Sequence, residues 1–211
     1  MARKTKADAQ ETRAAILDAA VRIFSVQGVS RTTLADIAQQ AGVTRGAIYW
    51  HFANKADLLN ALWDQVLLPY EPLVQASESQ DEPDPLGRMR EVMIGLFNGL
   101  AEDPHRRQVF RILLDKCEAI EDTGTVHQRR ANCHLDGFQR IETVLSNAID
   151  KGQLPATIDV RLGAIAVISY VDGLMANYLM MPELFAVPTE APIFIDGLVA
   201  MLRTGAIRRH D

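Results

Sequence analysis

The stretch over residues 33–52, TLADIAQQAGVTRGAIYWHF, constrains this chain more than any other. Leu34, Ile37, Ala38 and Ala41 recur at i, i+3, i+4 and i+7, the apolar stripe of a short helix. Gly42 comes next, a residue free to take positive φ and so end that helix. Thr44 then offers a hydroxyl to the orphan amides of a second helix. In that second helix only Ile48 and Phe52, four apart, make an inward stripe, which leaves Arg45, Gly46, Tyr49, Trp50 and His51 outward. Two short helices joined by a tight glycine turn match the helix-turn-helix pattern, whose second helix enters a DNA major groove. The outward residues have the chemistry for it. Arg45 can bridge two guanine acceptors, Gly46 and Ala47 allow close backbone approach, and Tyr49, Trp50 and His51 reach phosphates or base edges. An ordinary helical hairpin in a core would leave the Tyr-Trp-His run unexplained.

The charge of the chain divides in the same sense. Of 211 residues with a net charge of −5, the first 60 hold 8 Lys/Arg against 5 Asp/Glu, and the remainder 14 against 22. A basic head on an acidic body suits a protein that meets phosphate with one end. The opening arm adds Arg3, Lys4, Lys6 and Arg13, placed to reach phosphates or a minor groove if it is not a plain solubilising tail. No basic-led apolar run opens the sequence, and the two cysteines, Cys117 and Cys133, form no CxxC pair. A reduced, cytoplasmic chain without a secretory leader is the expectation.

Periodicity makes the fold class all-α. A helix over 9–27 has Ile16, Ala20, Ile23, Phe24 and Gln27 on one face and Gly28 as its terminator. Asn54 with Asp57 starts another through Leu58, Leu59, Leu62, Trp63 and Val66, with Lys55 in its first turn placed to hold a phosphate. Pro69 and Pro72 interrupt it, so a kink is expected near 65–70. Further helices are expected over 86–101, from Asp103-Pro104 onward, over 123–151, 162–181 and 192–203. The division expected is a DNA-binding head over 1–54 and a ligand-binding and dimerisation body over 55–211, with 55–80 connecting them. The segment 162–181 is long enough to span a bilayer, yet it carries Asp172 and Asn177 and lacks flanking basic clusters. Its Gly163, Ala164, Ala166, Ser169, Gly173 and Ala176 suit close helix packing, against its own core and a second subunit.

Chemistry beyond DNA contact points to a binding pocket. Met89, Met93 and Met175 are adaptable fillers. Val66, Phe97, Phe110, Leu114, Ile141, Ile168, Val171 and Tyr178 add flat or branched surface, and Asp172 is the candidate polar hook. Plain core is the competing reading of each apolar residue, and a structural carboxylate that of Asp172. His127, Cys133 and His134 lack metal-ligand spacing, and no nucleophile elbow, P-loop or paired-carboxylate pattern is present. No metal, no cofactor and no enzymatic activity are expected.

The residues Thr32-Thr33-Leu34-Ala35-Asp36-Ile37-Ala38, the run from Ala41 through Thr44-Arg45-Gly46-Ala47-Ile48-Tyr49-Trp50-His51 to Phe52, and Asn54-Lys55 together resemble the TetR family of bacterial repressors. Weaker matches extend the resemblance to AcrR/TtgR-like repressors of multidrug efflux operons: Arg3-Lys4-Thr5-Lys6, Asp84-Pro85-Leu86, Lys116-Cys117-Glu118, Gly152-Gln153-Leu154-Pro155 and Val171-Asp172-Gly173-Leu174. The resemblance implies a homodimer joined through the last two helices, near 160–181 and 192–203. It implies a palindromic double-stranded operator released when a small hydrophobic inducer fills the body. By motif position, Thr33, Thr44, Arg45, Gly46, Ala47, Tyr49, Trp50, His51 and Lys55 would contact DNA. The connecting helix of the family is continuous, whereas here Pro69 and Pro72 interrupt it. A regulator of another operon sensing a lipophilic metabolite is the alternative, with a membrane-associated protein or lipophile carrier more remote.

Overall fold

The structure, a computed structural model, describes residues 6–115 and 124–208, apart from the side chains of 114–115 and 124–134. Among the described residues all regular structure is helical: α1 (Lys6–Gln27), α2 (Leu34–Gln40), α3 (Arg45–His51), α4 (Lys55–Leu67), a 3-10 turn (Leu68–Tyr70), α5 (Glu71–Glu78), α6 (Pro85–Glu102), α7 (Pro104–Asp115), α8 (Gly124–Asp150), α9 (Val160–Met180) and α10 (Val187–Arg203). Internal contacts divide the chain into two compact units, Met1–Leu67 with His105–Arg130, and Leu68–Pro104 with Ala131–Asp211. The arm residues Arg3 and Lys4, the Lys116-Cys117-Glu118 motif, and the side chains of Leu114, His127, Cys133 and His134 lie outside the described residues.

In the first unit α1 packs on α2 and α4, and α2 on α3. Ile16, Ala20 and Phe24 of α1, Leu34 and Ile37 of α2, Ile48 and Phe52 around α3, and Leu58, Leu59 and Leu62 of α4 are buried together as its core. Each large side chain removed from water contributes roughly 1.5–3 kcal/mol. This is what holds α2 and α3, seven residues each, since helices so short do not persist alone. Two expectations for α1 change. It starts at Lys6, and Gln27 is exposed while Leu17, Ala19 and Val21 are buried. The buried arc is wider than one stripe because α7 also meets α1: the Gln108 amide donates to Ser25 Oγ at 2.6 Å, and His105 lies 3.8 Å from Asp18.

In the second unit α6 packs on α5 and α10, and α10 on α9. Asp84 caps α6, with Oδ1 accepting the Gly87 amide at 2.9 Å and the Gln153 side-chain amide at 2.7 Å. These donors hold the Asp84 carboxyl below the usual range, the Gly87 amide contributing most. The break after α4 falls at Leu67, two residues before Pro69, and the segment beyond it is tied to the second unit. Tyr70 donates to Gly95 O at 3.0 Å, Arg140 grips Glu71 at 2.9 Å and Glu78 at 3.6 Å, and Asn147 donates to Glu78 O at 3.0 Å. Phe185 anchors an aromatic group, with ring centroids 5.3 Å from Phe194, 5.5 Å from Tyr178 and 6.4 Å from Phe97.

α10 departs from its expected start at Pro192. It begins at Val187, with Pro188 near its N-terminus and Pro192 inside it. The extra turn is held by Glu190, which accepts the Ala186 amide at 2.6 Å, while Ala186 O accepts the Glu190 amide at 2.8 Å. α9 is long and apolar enough to cross a membrane by composition, and a third of it is buried within the chain. Gly163 meets Leu145 so closely that an added Cβ would lie 2.9 Å from its Cδ1, so this helix end is fitted against α8.

Candidate nucleic-acid interface

The two short helices are each locked at the N-terminus by a threonine. Thr33 and Asp36 form a reciprocal capping box on α2. Thr33 Oγ1 accepts the Asp36 amide at 3.2 Å, and Asp36 Oδ2 accepts the Thr33 amide at 2.8 Å and hydroxyl at 2.7 Å. The Thr33 hydroxyl, then its amide, hold the Asp36 carboxyl below its ordinary range, and Arg45 adds a smaller electrostatic share. α2 ends in a Schellman closure. Gly42, at φ +68°, donates to Gln39 O at 3.1 Å and Val43 donates to Ala38 O at 3.0 Å. Thr44 then caps α3, its hydroxyl accepting the Ala47 amide at 3.1 Å. Start and stop are thus specified within a dozen residues, and the turn between α2 and α3 has little freedom.

That turn decides which side of α3 faces solvent. Ile48 and Phe52 are buried at 0% and 1%, whereas Tyr49 and Trp50 are 59% and 74% exposed. Thr44, Arg45 and Gly46 are exposed and Ala47 and His51 half-buried. The Trp50 indole meets the His51 ring edge-on, with centroids 4.5 Å apart at 88°. Beneath, the Arg13 guanidinium lies 5.1 Å from the centre of the Phe52 ring, tying α1 to the end of the helix. The result is a rigid ridge presenting a cation, a phenol, an indole and an imidazole. Unpartnered aromatic surface of this size on a short helix is costly to leave in water, and the helix itself matches the width of a major groove. Lys55, expected to hold a phosphate, opens α4. Its ammonium donates to Val29 O at 3.0 Å and Ser30 O at 3.3 Å, within its own unit.

The expected ligand residues do not form one class. Val66 and Phe110 are buried in the first unit, and Met89, Met93, Phe97 and Met175 in the second. Ile141, Ile168 and Val171 are half-buried. Asp172, the candidate polar hook, lies on the exposed side of α9 among Ser169, Gly173 and Ala176. A uniformly apolar helix reads as buried all round, but this one is covered on one side only by its own chain. Trp63 is the residue that reading by sequence missed. Its indole Nε1 is buried with no hydrogen-bond partner among the described residues, a costly state for a donor and a place where a ligand acceptor would be favoured. The signal was an indole on an otherwise aliphatic stripe. No group of three or more metal-ligating side chains occurs among the described residues.

A capped two-helix reader on a three-helix head, followed by a larger helical body, defines a helix-turn-helix DNA-binding regulator. Residues 16–62 match the bacterial regulatory proteins of the tetR family, and residues 84–204 match the C-terminal region of MAATS-type transcriptional repressors. The chain is 47% identical over 203 residues to the probable HTH-type transcriptional regulator ArpR of Pseudomonas putida, covering 96% of this chain and 97% of that protein. Its fold is similar to NalD, the secondary repressor of the MexAB-OprM multidrug efflux pump in Pseudomonas aeruginosa, with a TM-score of 0.83 at 32% identity, covering 93% and 98% of the two chains. It is equally similar to SmeT in complex with triclosan, TM-score 0.83 at 34% identity and 91% coverage of both; SmeT represses the Stenotrophomonas maltophilia multidrug efflux pump SmeDEF. The chain belongs to the TetR family: it is a transcriptional repressor of that type with efflux regulators among its relatives, and not an enzyme. Repressors of this family bind operator DNA as dimers.

Proposed function

We propose that the protein represses a multidrug efflux operon by binding a palindromic operator as a homodimer, and leaves it when a hydrophobic, drug-like ligand enters its helical body. The observation that carries the DNA half is the division of α3 into a buried Ile48/Phe52 side and an exposed Arg45/Tyr49/Trp50 side. In this reading Arg45 reads a guanine, and Gly46 and Ala47 bring the backbone against the duplex. Thr44, Tyr49, Trp50 and His51 contact phosphate or base edges, and Thr33 presents the N-terminus of α2 to a phosphate. Dimerisation uses the exposed faces of α9 and α10, where Ile165, Met180, Ile193 and Met201 leave apolar surface uncovered by their own chain. A regulator built this way works where the chromosome is, in the cytoplasm.

The ligand half is supported by the efflux repressors among the relatives and by SmeT having been seen with triclosan. The Trp63 indole, without a partner among the described residues, is the donor that such a ligand would satisfy. Emptying a mostly occupied operator requires the ligand to prefer the non-binding shape by a few kcal/mol, roughly a hundredfold or more in affinity. Footprinting of purified protein on the DNA upstream of its own gene, with and without a panel of lipophilic drugs, tests the whole proposal. A symmetric protected site that clears with several unrelated lipophiles supports it. Protection that clears only with a metabolite-like amphiphile favours the other operon class, and no protected site refutes both.

A further inference from the structure

We propose that Trp63 sets the chemical class of the inducer: a neutral lipophile that carries a hydrogen-bond acceptor, such as a ketone or ether oxygen, seated against the indole N–H. This rests on the ligand half of the reading above, and its test needs no DNA.

The interior of the chain leaves few polar groups unmet. Three polar side chains are buried among the described residues, and each is bonded. The Thr32 hydroxyl donates to Gly28 O at 2.8 Å, the Ser77 hydroxyl to Val74 O at 2.6 Å, and the Asn147 amide to Glu78 O at 3.0 Å. His105 Nε2 is also enclosed, and it faces the Asp18 carboxylate at 3.8 Å. Trp63 Nε1 differs from all of these, being enclosed with no partner among the described residues. An indole N–H can only donate, so an acceptor alone relieves it. Leu or Phe would fill an apolar site without burying a donor, and buried indoles normally find a partner. The surroundings decide the rest of the class. Leu59 and Val66, about one turn to either side on the same face of α4, are buried at 1% and 2%. An ion brought among such side chains loses its hydration with little return. A neutral oxygen on an apolar frame loses less, and gains a bond for which solvent does not compete. A lipophile that can only donate gains nothing from the indole. The bond falls on α4, which packs on α1 within the unit that holds the reading helices.

Benzophenone and diphenylmethane are the probes: two phenyl rings joined through a carbonyl or a methylene, alike in size and different in the acceptor. Equilibrium dialysis measures the affinity of each for full-length parent and for Trp63→Phe. The preference for benzophenone in the parent, divided by that in Trp63→Phe, cancels the unequal hydration of the probes and isolates the N–H. This quotient is expected to be roughly tenfold. A second measurement leaves Trp63 intact. In Trp50→Phe the remaining indole N–H signal of a heteronuclear NMR spectrum belongs to Trp63, since the chain has two tryptophans. Its proton should move downfield with benzophenone and not with diphenylmethane. A quotient near one, or a signal that moves alike with both probes, overturns the proposal. Should Trp63→Phe fail to fold, the NMR comparison decides. Binding of both probes without discrimination by Trp63 sinks the proposal alone and leaves a general lipophile site. A protein that binds neither probe overturns it together with the ligand half of the reading.

Discussion

Ile48 and Trp50 sit two residues apart on a seven-residue helix and should behave as opposites. Ile48 is completely buried in the first unit, so Ile48→Ala removes apolar contacts and leaves a void, at a cost of about 2–5 kcal/mol. For a chain of this size each kcal/mol lowers Tm by roughly 2–4 °C, so a fall of about 4–20 °C is expected. Trp50 is 74% exposed, its ring touching His51 edge-on, and Trp50→Ala should change stability by no more than about 0.5 kcal/mol. Its effect belongs to binding. Losing a groove contact costs about 1–3 kcal/mol, roughly a five- to 150-fold weaker operator complex per affected subunit. Differential scanning calorimetry and fluorescence anisotropy on a labelled operator separate the two. If Trp50→Ala melts as early as Ile48→Ala, or keeps full operator affinity, the inside–outside division of α3 is wrong.

The caps and clamps lead to further expectations. Thr44→Ala and Thr33→Ala each remove a hydroxyl that accepts a helix-start amide, and each should cost about 1 kcal/mol by urea unfolding of the head. Asp36 titrates lower folded than unfolded, so its contribution is complete above the ordinary aspartate value of 3.8 and is lost as pH falls through the lower folded value. Asp36→Asn should flatten that acid limb in a pH–stability titration. Arg140→Met frees Glu71 and Glu78 of α5; with Arg140 and Glu71 each about a third exposed, the loss should stay near or below about 1 kcal/mol, read as faster exchange across α5.

Much of the reader was legible because its constraints are local. Two apolar residues four apart can only turn one side of α3 inward, and Gly42 and Thr44 set the turn on either side of the break. The same holds for the α4 start, where the Asp57 amide donates to Asn54 Oδ1 at 2.8 Å as the capping pattern implies. Properties fixed by distant partners were not legible. Lys55 looks like any exposed cation until the fold brings Val29 within reach, 26 residues away. The side of α9 left open could not be read either, because a helix covered on one side by its own chain has the composition of one covered on both. Pro192 resembles a helix start, but Ala186 and Glu190 close an earlier one that the local pattern does not advertise.

The central claim is that the exposed face of α3 is pressed against a duplex, and Trp50 can report this itself. The chain has two tryptophans, so Trp63→Phe leaves Trp50 as the single indole emitter. Acrylamide quenching of that variant, measured free, with operator DNA and with an equal length of unrelated duplex, puts the claim to the test. The account predicts ready quenching in free protein, strong protection on the operator and little on unrelated DNA at moderate salt. An indole that stays equally open to acrylamide while the operator is fully bound would contradict it.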